Sequence, residues 1–331
     1  MTTRVAIVGA GKIGTKHARV LHALPGADVS HVVDTQRDAA ADLAERVDAA
    51  AVPLDEALTS SDAVYVCTPD DAHAESARAA IETGLHTFVE KPLATDPDVA
   101  AELVELAAES NAVHMVGHIL RFDSRYRQLQ SAVNDGAVGD IRNISARRLV
   151  ARGRARRTGA QSSPAMRLGV HDFDIFQWFA GEPLTAVSAN DVDGALHAEG
   201  YDVADVVSVT GEFASGATMD LTIGFCLPDG HPGSVVDATI VGTEGVAQLD
   251  ASGEETQIWD GDSGVYPDTN LWPEMSGRPG GALERESREY LAAIENDEES
   301  PVPLEAGRGA VAVAAAVERS IDIGGTVSVN R

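Results

Sequence analysis

The sequence predicts two domains: an α/β domain with a parallel sheet over residues 1–120, then an α+β domain over residues 121–331. Three observations predict it. Short apolar runs alternate with segments of helical periodicity through the first 120 residues. A glycine-rich turn joins the first run to the first helix. The second half instead strings together short strand-like segments separated by turn residues. At 331 residues the chain is long enough for both domains.

Residues 5–8, Val5-Ala6-Ile7-Val8, form an apolar run that ends in glycine, and residues 13–24 then carry apolar side chains at helical spacing up to Pro25-Gly26. A second strand over 29–33 ends at Asp34, and a helix follows over 38–47. Residues 63–67 read as a strand, 72–83 as a helix closed by Gly84, and 86–89 as the next strand. Such alternation implies a parallel sheet with helices on both faces. Beyond it, residues 141–150, 184–190, 206–213, 217–225, 235–241 and 246–249 have strand character, with a helix starting near His171 and a buried Ala/Val-rich helix over 309–317. Helices on one face of that sheet would leave the other to meet a second subunit, a surface to which Trp259 and Trp272 could belong as readily as to the core.

Composition bounds the function. Fifty-two acidic residues stand against 25 basic ones, a formal charge of −27, in a chain that is 44% hydrophobic. This is a folded globule with an acidic skin, since disordered chains lack that apolar content. Its self-repulsion is relieved in molar salt, where the Debye length falls to about 3 Å, so a salt-adapted source is expected. The same charge argues against nucleic-acid and membrane partners. Cys67 and Cys226 are too few for a disulfide framework and lack zinc-site spacing, so no metal is expected. The chain opens directly into Arg4-Val5-Ala6, which predicts a cytoplasmic protein.

The turn Gly9-Ala10-Gly11-Lys12-Ile13-Gly14 brings the first specific chemistry. Gly9 permits a sharp turn, Gly11 lets a pyrophosphate approach the backbone, and Gly14 lets helix pack on strand. The N–H groups at the helix start, where Lys12 and Ile13 lie, attract the anion. Asp34 ends the second strand twenty residues beyond Gly14, where a carboxylate accepts the ribose hydroxyls. That favours NAD, while Arg37 leaves NADP open through its affinity for a 2′-phosphate. Only Lys12, Lys16 and Lys91 among the 25 basic residues are lysines. An ammonium gives up its proton when desolvated, which a guanidinium does not, so Lys91 in Phe88-Val89-Glu90-Lys91-Pro92 is a candidate acid or base.

Gly9 to Gly14, Cys67-Thr68-Pro69-Asp70-Asp71-Ala72-His73, Glu90-Lys91-Pro92, Gly117-His118 with Arg121-Phe122-Asp123, and Gly169-Val170-His171-Asp172-Phe173-Asp174 together resemble the Gfo/Idh/MocA family of oxidoreductases. The resemblance runs on through Val241-Gly242-Thr243-Glu244-Gly245 and a helical segment over 283–320, which is open to packing back near the first domain. It implies a Rossmann dinucleotide-binding domain, then a domain with a large open, mostly antiparallel sheet, the active site lying between them. It also implies homodimers or homotetramers formed through that sheet. Cys67, Thr68, Pro69, His73, Glu90 and Lys91 would join Gly9, Gly11, Lys12, Ile13, Gly14, Asp34 and Arg37 around the cofactor. Lys91 would stand beside the nicotinamide and the reacting hydroxyl, before a peptide bond that is often cis in the family.

The same resemblance makes His171 the second catalytic candidate and adds His118, Arg121 and Arg167 as substrate contacts. Many relatives place an aspartate four residues before this histidine, where it supports an imidazole base. Here that residue is Arg167, and neither Asp172 nor Asp174 obviously replaces the aspartate. Arg147, Arg148, Arg152, Arg154, Arg156, Arg157 and Arg167 concentrate basic charge, which suits an anionic sugar or, equally, pairing with the acidic skin. Residues 159–163, small and polar, read as a lid segment. The implied function is hydride transfer between NAD(P) and a hydroxyl of a sugar, cyclitol or sugar derivative. The alternatives are a catalytically silent NAD(P)-binding sensor, or a lyase or hydrolase that oxidises its sugar only transiently.

Overall fold

The computed structural model describes residues 2–157, 162–231, 233–253, 256, 258–259, 264–265 and 267–330. Two compact units emerge: Met1–Phe122 with Asn270–Arg308, and Asp123–Thr269 with Gly309–Arg331.

In the first unit the strands are β1 (Thr3–Val8), β2 (Ala27–Val33), β3 (Ala50–Ala51), β4 (Ala63–Val66), β5 (His86–Glu90) and β6 (His114–Gly117), in the order β3-β2-β1-β4-β5-β6. Every pairing is parallel. Val5, Ala6 and Ile7 are fully buried, as are Val64, Tyr65 and Val66. A strand covered on both faces has no polar side to show, which is why these read as unbroken apolar runs.

The helices are α1 (Lys12–Ala23), α2 (Arg37–Arg46), α3 (Leu54–Ser60), α4 (His73–Glu82) and α5 (Pro97–Ala108). Gly84, at φ +76°, ends the turn after α4 in a conformation that other residues rarely adopt. Asp96 caps α5 by accepting the Asp98 N–H at 2.8 Å, with Pro97 at the first helical position. β3 and α3 went unseen in the sequence: β3 is two exposed alanines, and α3 buries only Ala57.

Residues 270–308 return to this unit and bring helix α10 (Gly281–Asn296) against α1. Tyr290 of α10 packs its ring on Tyr65 and Phe88, which stack on each other at 4.5 Å, and donates its hydroxyl to the Val113 carbonyl at 3.2 Å. Trp272 belongs here too and not to the second sheet: Lys16 Nζ lies 4.2 Å above its ring.

The second unit is built on β7 (Ile141–Ala151), β8 (Leu184–Val192), β9 (Val206–Phe213), β10 (Thr218–Leu227), β11 (Val235–Gly242), β12 (Val246–Asp250) and the late strand β17 (Val327–Ser328). Their order is β12-β11-β7-β10-β9-β8-β17, and within this sheet β7 with β10 is the one parallel pair among the described residues. The short ribbon β13–β14 (Ile258–Trp259, Gly264–Val265) also belongs to this unit, whereas β15–β16 (Glu274–Met275, Arg278–Pro279) belongs to the first. Trp259 is 68% exposed.

Residues of this sheet alternate. Ile144, Ala146, Val207, Val209, Met219, Leu221, Ala238 and Ile240 are buried on one face. The other face is polar: Asn143 donates to Thr218 Oγ1 at 3.0 Å and Asp220 at 2.8 Å, and Arg147 donates to Asp237 at 2.8 Å. Helices α6 (Ser124–Asn134), α7 (Gly153–Arg157), α8 (Val170–Ala180), α9 (Ala195–Ala198) and most of α11 (Leu304–Ile323) belong to this unit. Ser320 of α11, fully buried, accepts the Ala189 N–H of β8 at 2.8 Å. No helix among the described residues is long and apolar enough to cross a membrane.

Candidate active site

The glycine turn has the form that its spacing predicts. Gly9 sits at φ +106°, and a Cβ there would press into the Cys67 carbonyl. A Cβ on Gly14 would overlap the Gly9 carbonyl oxygen. Gly11 has nothing within 4 Å of where its Cβ would lie, so the backbone there is open to a ligand, as a pyrophosphate cradle requires. Lys12 is exposed at the start of α1, and Ile13 is half-buried. Asp34 also braces the turn from within the chain, since its Oδ2 accepts the Ala10 N–H at 2.7 Å and its Oδ1 the Gln36 N–H at 2.8 Å. Each carboxylate oxygen still offers a lone pair, so ribose hydroxyls fit beside these bonds. Arg37 is exposed at the start of α2.

The next two loops meet around His73, which is buried with Nε2 2.9 Å from the Thr68 carbonyl and Nδ1 2.6 Å from the Pro92 carbonyl. His73 thus braces one loop against the other. Cys67 is buried, and its thiol is pushed well above the ordinary range by burial, then by Glu90 and Glu286. It is an inert thiol whose backbone, not its sulfur, borders the glycine turn. Pro69 is exposed. The Lys91–Pro92 bond is cis, Lys91 is half-buried, and its N–H donates to Glu90 Oε2 at 3.1 Å.

Two residues here were not singled out from the sequence. His17, fully buried on α1, lies 2.8 Å through Nε2 from Glu90 Oε1, and Glu286 of α10 is fully buried. His17 had a signal: it shares the stripe Gly14, His17, Ala18, Leu21, a polar residue at the spacing of the buried face. His118 is buried just after β6, and Arg121 is half-buried in the single turn Ile119–Phe122 that follows. Lys91, His118 and Arg121 therefore belong to the first unit, and Arg167 and His171 to the second.

In the second unit a π-helical turn, Ala165–Gly169, precedes α8, so the interval from Arg167 to His171 is not a regular α-helical one. Asp172, beside His171, is engaged elsewhere: Arg148 Nε donates to its Oδ2 at 2.7 Å and Arg148 Nη2 to its Oδ1 at 2.8 Å. Burial disfavours the Arg148 charge, but Asp172 and then Tyr126 raise its pKa above the usual value.

Among the described residues, at least three of the seven arginines in this concentration pair with acids of the chain itself. Arg147 pairs with Asp237, Arg148 with Asp172, and Arg156 with both Glu199 and Asp229. Of the expected lid over 159–163, residues 159–161 lie outside the described residues, and Ser163 is anchored by a hydrogen bond to Glu318. No group of three metal-ligating side chains occurs among the described residues.

The parallel sheet, the open Gly11 backbone and Asp34 together define a dinucleotide-binding protein of the Rossmann type. Residues 3–118 match the oxidoreductase family with an NAD-binding Rossmann fold, and residues 126–248 match the GFO/IDH/MocA C-terminal domain. The chain belongs to the Gfo/Idh/MocA family. It is 32% identical to an inositol 2-dehydrogenase of Cereibacter sphaeroides over 75% of this chain and 74% of that protein. It is 28% identical to the inositol 2-dehydrogenase of Rhizobium meliloti over 97% of both. The scyllo-inositol dehydrogenase of Lactobacillus casei, solved with NAD(H) and scyllo-inositol, matches with a TM-score of 0.83 over 99% of each chain at 20% identity, a likeness of fold.

Proposed function

We propose that this chain is an NAD-dependent polyol dehydrogenase that oxidises a secondary hydroxyl of a cyclitol of the inositol type. The observation that carries this reading is Lys91 at the carboxyl end of β5, its amide held by Glu90 and the following residue's carbonyl by His73. Ligands of open parallel sheets bind at the carboxyl ends of the strands, and the inositol 2-dehydrogenases among the relatives support a cyclitol as the donor. Bound NAD supplies a hydride acceptor at nicotinamide C4. In this reading Lys91 orients the reacting hydroxyl and assists its deprotonation, and His171 accepts the hydroxyl proton. His118, Arg121 and Arg167 contact the substrate. The acidic surface supports work in concentrated salt, and a homodimer or homotetramer through the open face of the second sheet completes the proposal.

The test is NADH formation in molar KCl with myo-inositol, scyllo-inositol, aldoses and sugar acids, using wild type and Lys91→Ala. Turnover of a cyclitol by wild type, with at least a hundred-fold loss in Lys91→Ala, is the expected result, on the scale of about 10² to 10⁴ for positioned acid–base groups. Turnover of sugar acids alone would move the substrate class, and an undiminished Lys91→Ala would remove Lys91 from the chemistry. Arg167 at the place where the resemblance implies an aspartate favours one other reading, a silent NAD-binding sensor. Tight NAD binding with no turnover of any of these compounds would select it.

A further inference from the structure

The turn that carries Lys91 is tied to the helix that opens the NAD site by one buried carboxylate. Glu90, 8% exposed, takes His17 Nε2 on Oε1 at 2.8 Å and the Lys91 N–H on Oε2 at 3.1 Å. The carboxylate accepts, so His17 Nε2 carries the proton. A carboxylate removed from water stays charged only where donors and positive charges hold it. At Glu90 burial pushes the pKa up, but the His17 hydrogen bond, then the charges of His17, Lys91 and His73, hold it below the ordinary range. Other ionisable groups nearby are Cys67 of the loop after β4, Tyr65 of β4, whose ring centroid lies 5.3 Å from that of His17, and Glu286 of α10. Burial, then the Glu90 charge, keeps Glu286 protonated well above the ordinary carboxyl range. Glu90 is thus the negative charge of this pocket, and the His17 ring donates to it directly from α1.

We propose that His17 is a positioning residue for Lys91 that acts through Glu90: the imidazole fixes the orientation and charge of the carboxylate, and the carboxylate fixes the backbone from which the Lys91 side chain extends. This rests on the reading of Lys91 given above. Without His17 the buried carboxylate takes up a proton or turns, and Lys91 loses both its amide anchor and its negative neighbour.

The scarcity of lysine makes the test direct. Reductive methylation with ¹³C-formaldehyde labels the Lys12, Lys16 and Lys91 amines and the terminal amine, and the Lys91 resonance is the one missing from Lys91→Arg. The full chain is titrated by NMR with saturating NAD, and kcat is measured in parallel with myo-inositol. In His17→Leu and Glu90→Gln the Lys91 resonance should titrate about one pH unit lower than in wild type, and the double variant should go no lower than either. The losses in kcat should be equally non-additive. His17→Gln, whose amide N–H reaches the same oxygen, should restore the wild-type titration.

A Lys91 resonance that titrates unchanged or higher in His17→Leu overturns the inference. So do additive effects in the double variant, which would make His17 a packing residue. If His17→Leu does not fold, Glu90→Gln and His17→Gln answer by the same titration. Normal turnover by Lys91→Ala would sink the role of Lys91 instead, while the titration would still read the link from His17 to Glu90.

Discussion

Gly11 and Gly14 lie three residues apart in one turn and answer to different partners. A methyl on Gly14 would overlap the Gly9 carbonyl in the chain itself, whereas one on Gly11 would meet nothing until a dinucleotide arrives. Gly11→Ala should leave the melting temperature without NAD unchanged and weaken NAD binding by about ten-fold, some 1.4 kcal/mol. Gly14→Ala should lower the melting temperature with no NAD present, as overpacking at a cost of about 1–3 kcal/mol does. Calorimetry with and without NAD separates the two.

Glu286 allows a prediction of sign. Its pKa is higher folded than unfolded, so above the free carboxyl value the unfolded chain releases a proton that the folded chain keeps. Stability is therefore lost as pH rises from about 4.5, by up to about 1.4 kcal/mol per unit until the folded value is reached. Glu286→Gln, an isostere of the protonated form, should match wild type near pH 4 and melt at a higher temperature near pH 8. Wild-type melting at both pH values would show that Glu286 ionises in the folded chain.

Neighbouring residues of one strand part company at the scale of the element. Arg147 and Arg148 of β7 face opposite ways: Arg147 reaches Asp237 on the exposed face, and Arg148 clamps Asp172 at the start of α8 among buried groups. Arg148→Met leaves the Asp172 charge buried and unpaired, which should cost about 3–5 kcal/mol in chemical denaturation. Arg147→Met should leave the midpoint near that of wild type, as exposed ion pairs do. The sequence showed that these two side chains alternate, because strand periodicity requires it, but not which acid each would meet, because the partners lie 24 and 90 residues away.

The same limit divides the rest. Most strands of both sheets were legible from apolar runs, though not the short β3, β6 and β17, and the glycine turn and Lys91 from local motifs. The braces of Lys91 were not, since His17 lies 73 residues from Glu90 and His73 lies 19 from Pro92. The π-helical turn before α8 was not read from the sequence either, since a segment of five residues is too short to establish a period of its own.

For the whole molecule the governing quantity is a charge of −27. Exposed pairs such as Arg78 with Glu102 offset little of it, because each is worth a fraction of a kcal/mol at most and is itself screened. Repulsion among the remaining carboxylates extends over the surface and falls as salt is added. The melting temperature should therefore climb steadily from dilute buffer into molar KCl, and sucrose at equal osmolarity should not reproduce the rise. A flat response would show that the acidic surface carries no net strain.

The division into units also bears on how the chain is made. The first unit includes residues 270–308 and the second includes 309–331, so each ends in sequence that leaves the ribosome late. The β1–β6 sheet must wait for α10 to cover α1, and the β7–β12 sheet for the strand β17 at its edge. The first needs nothing beyond residue 308, whereas the second draws on residues 309–331. Until residues 270–308 are made, both sheets lack part of the sequence that completes their units, and like charge on neighbouring chains opposes their association in that interval.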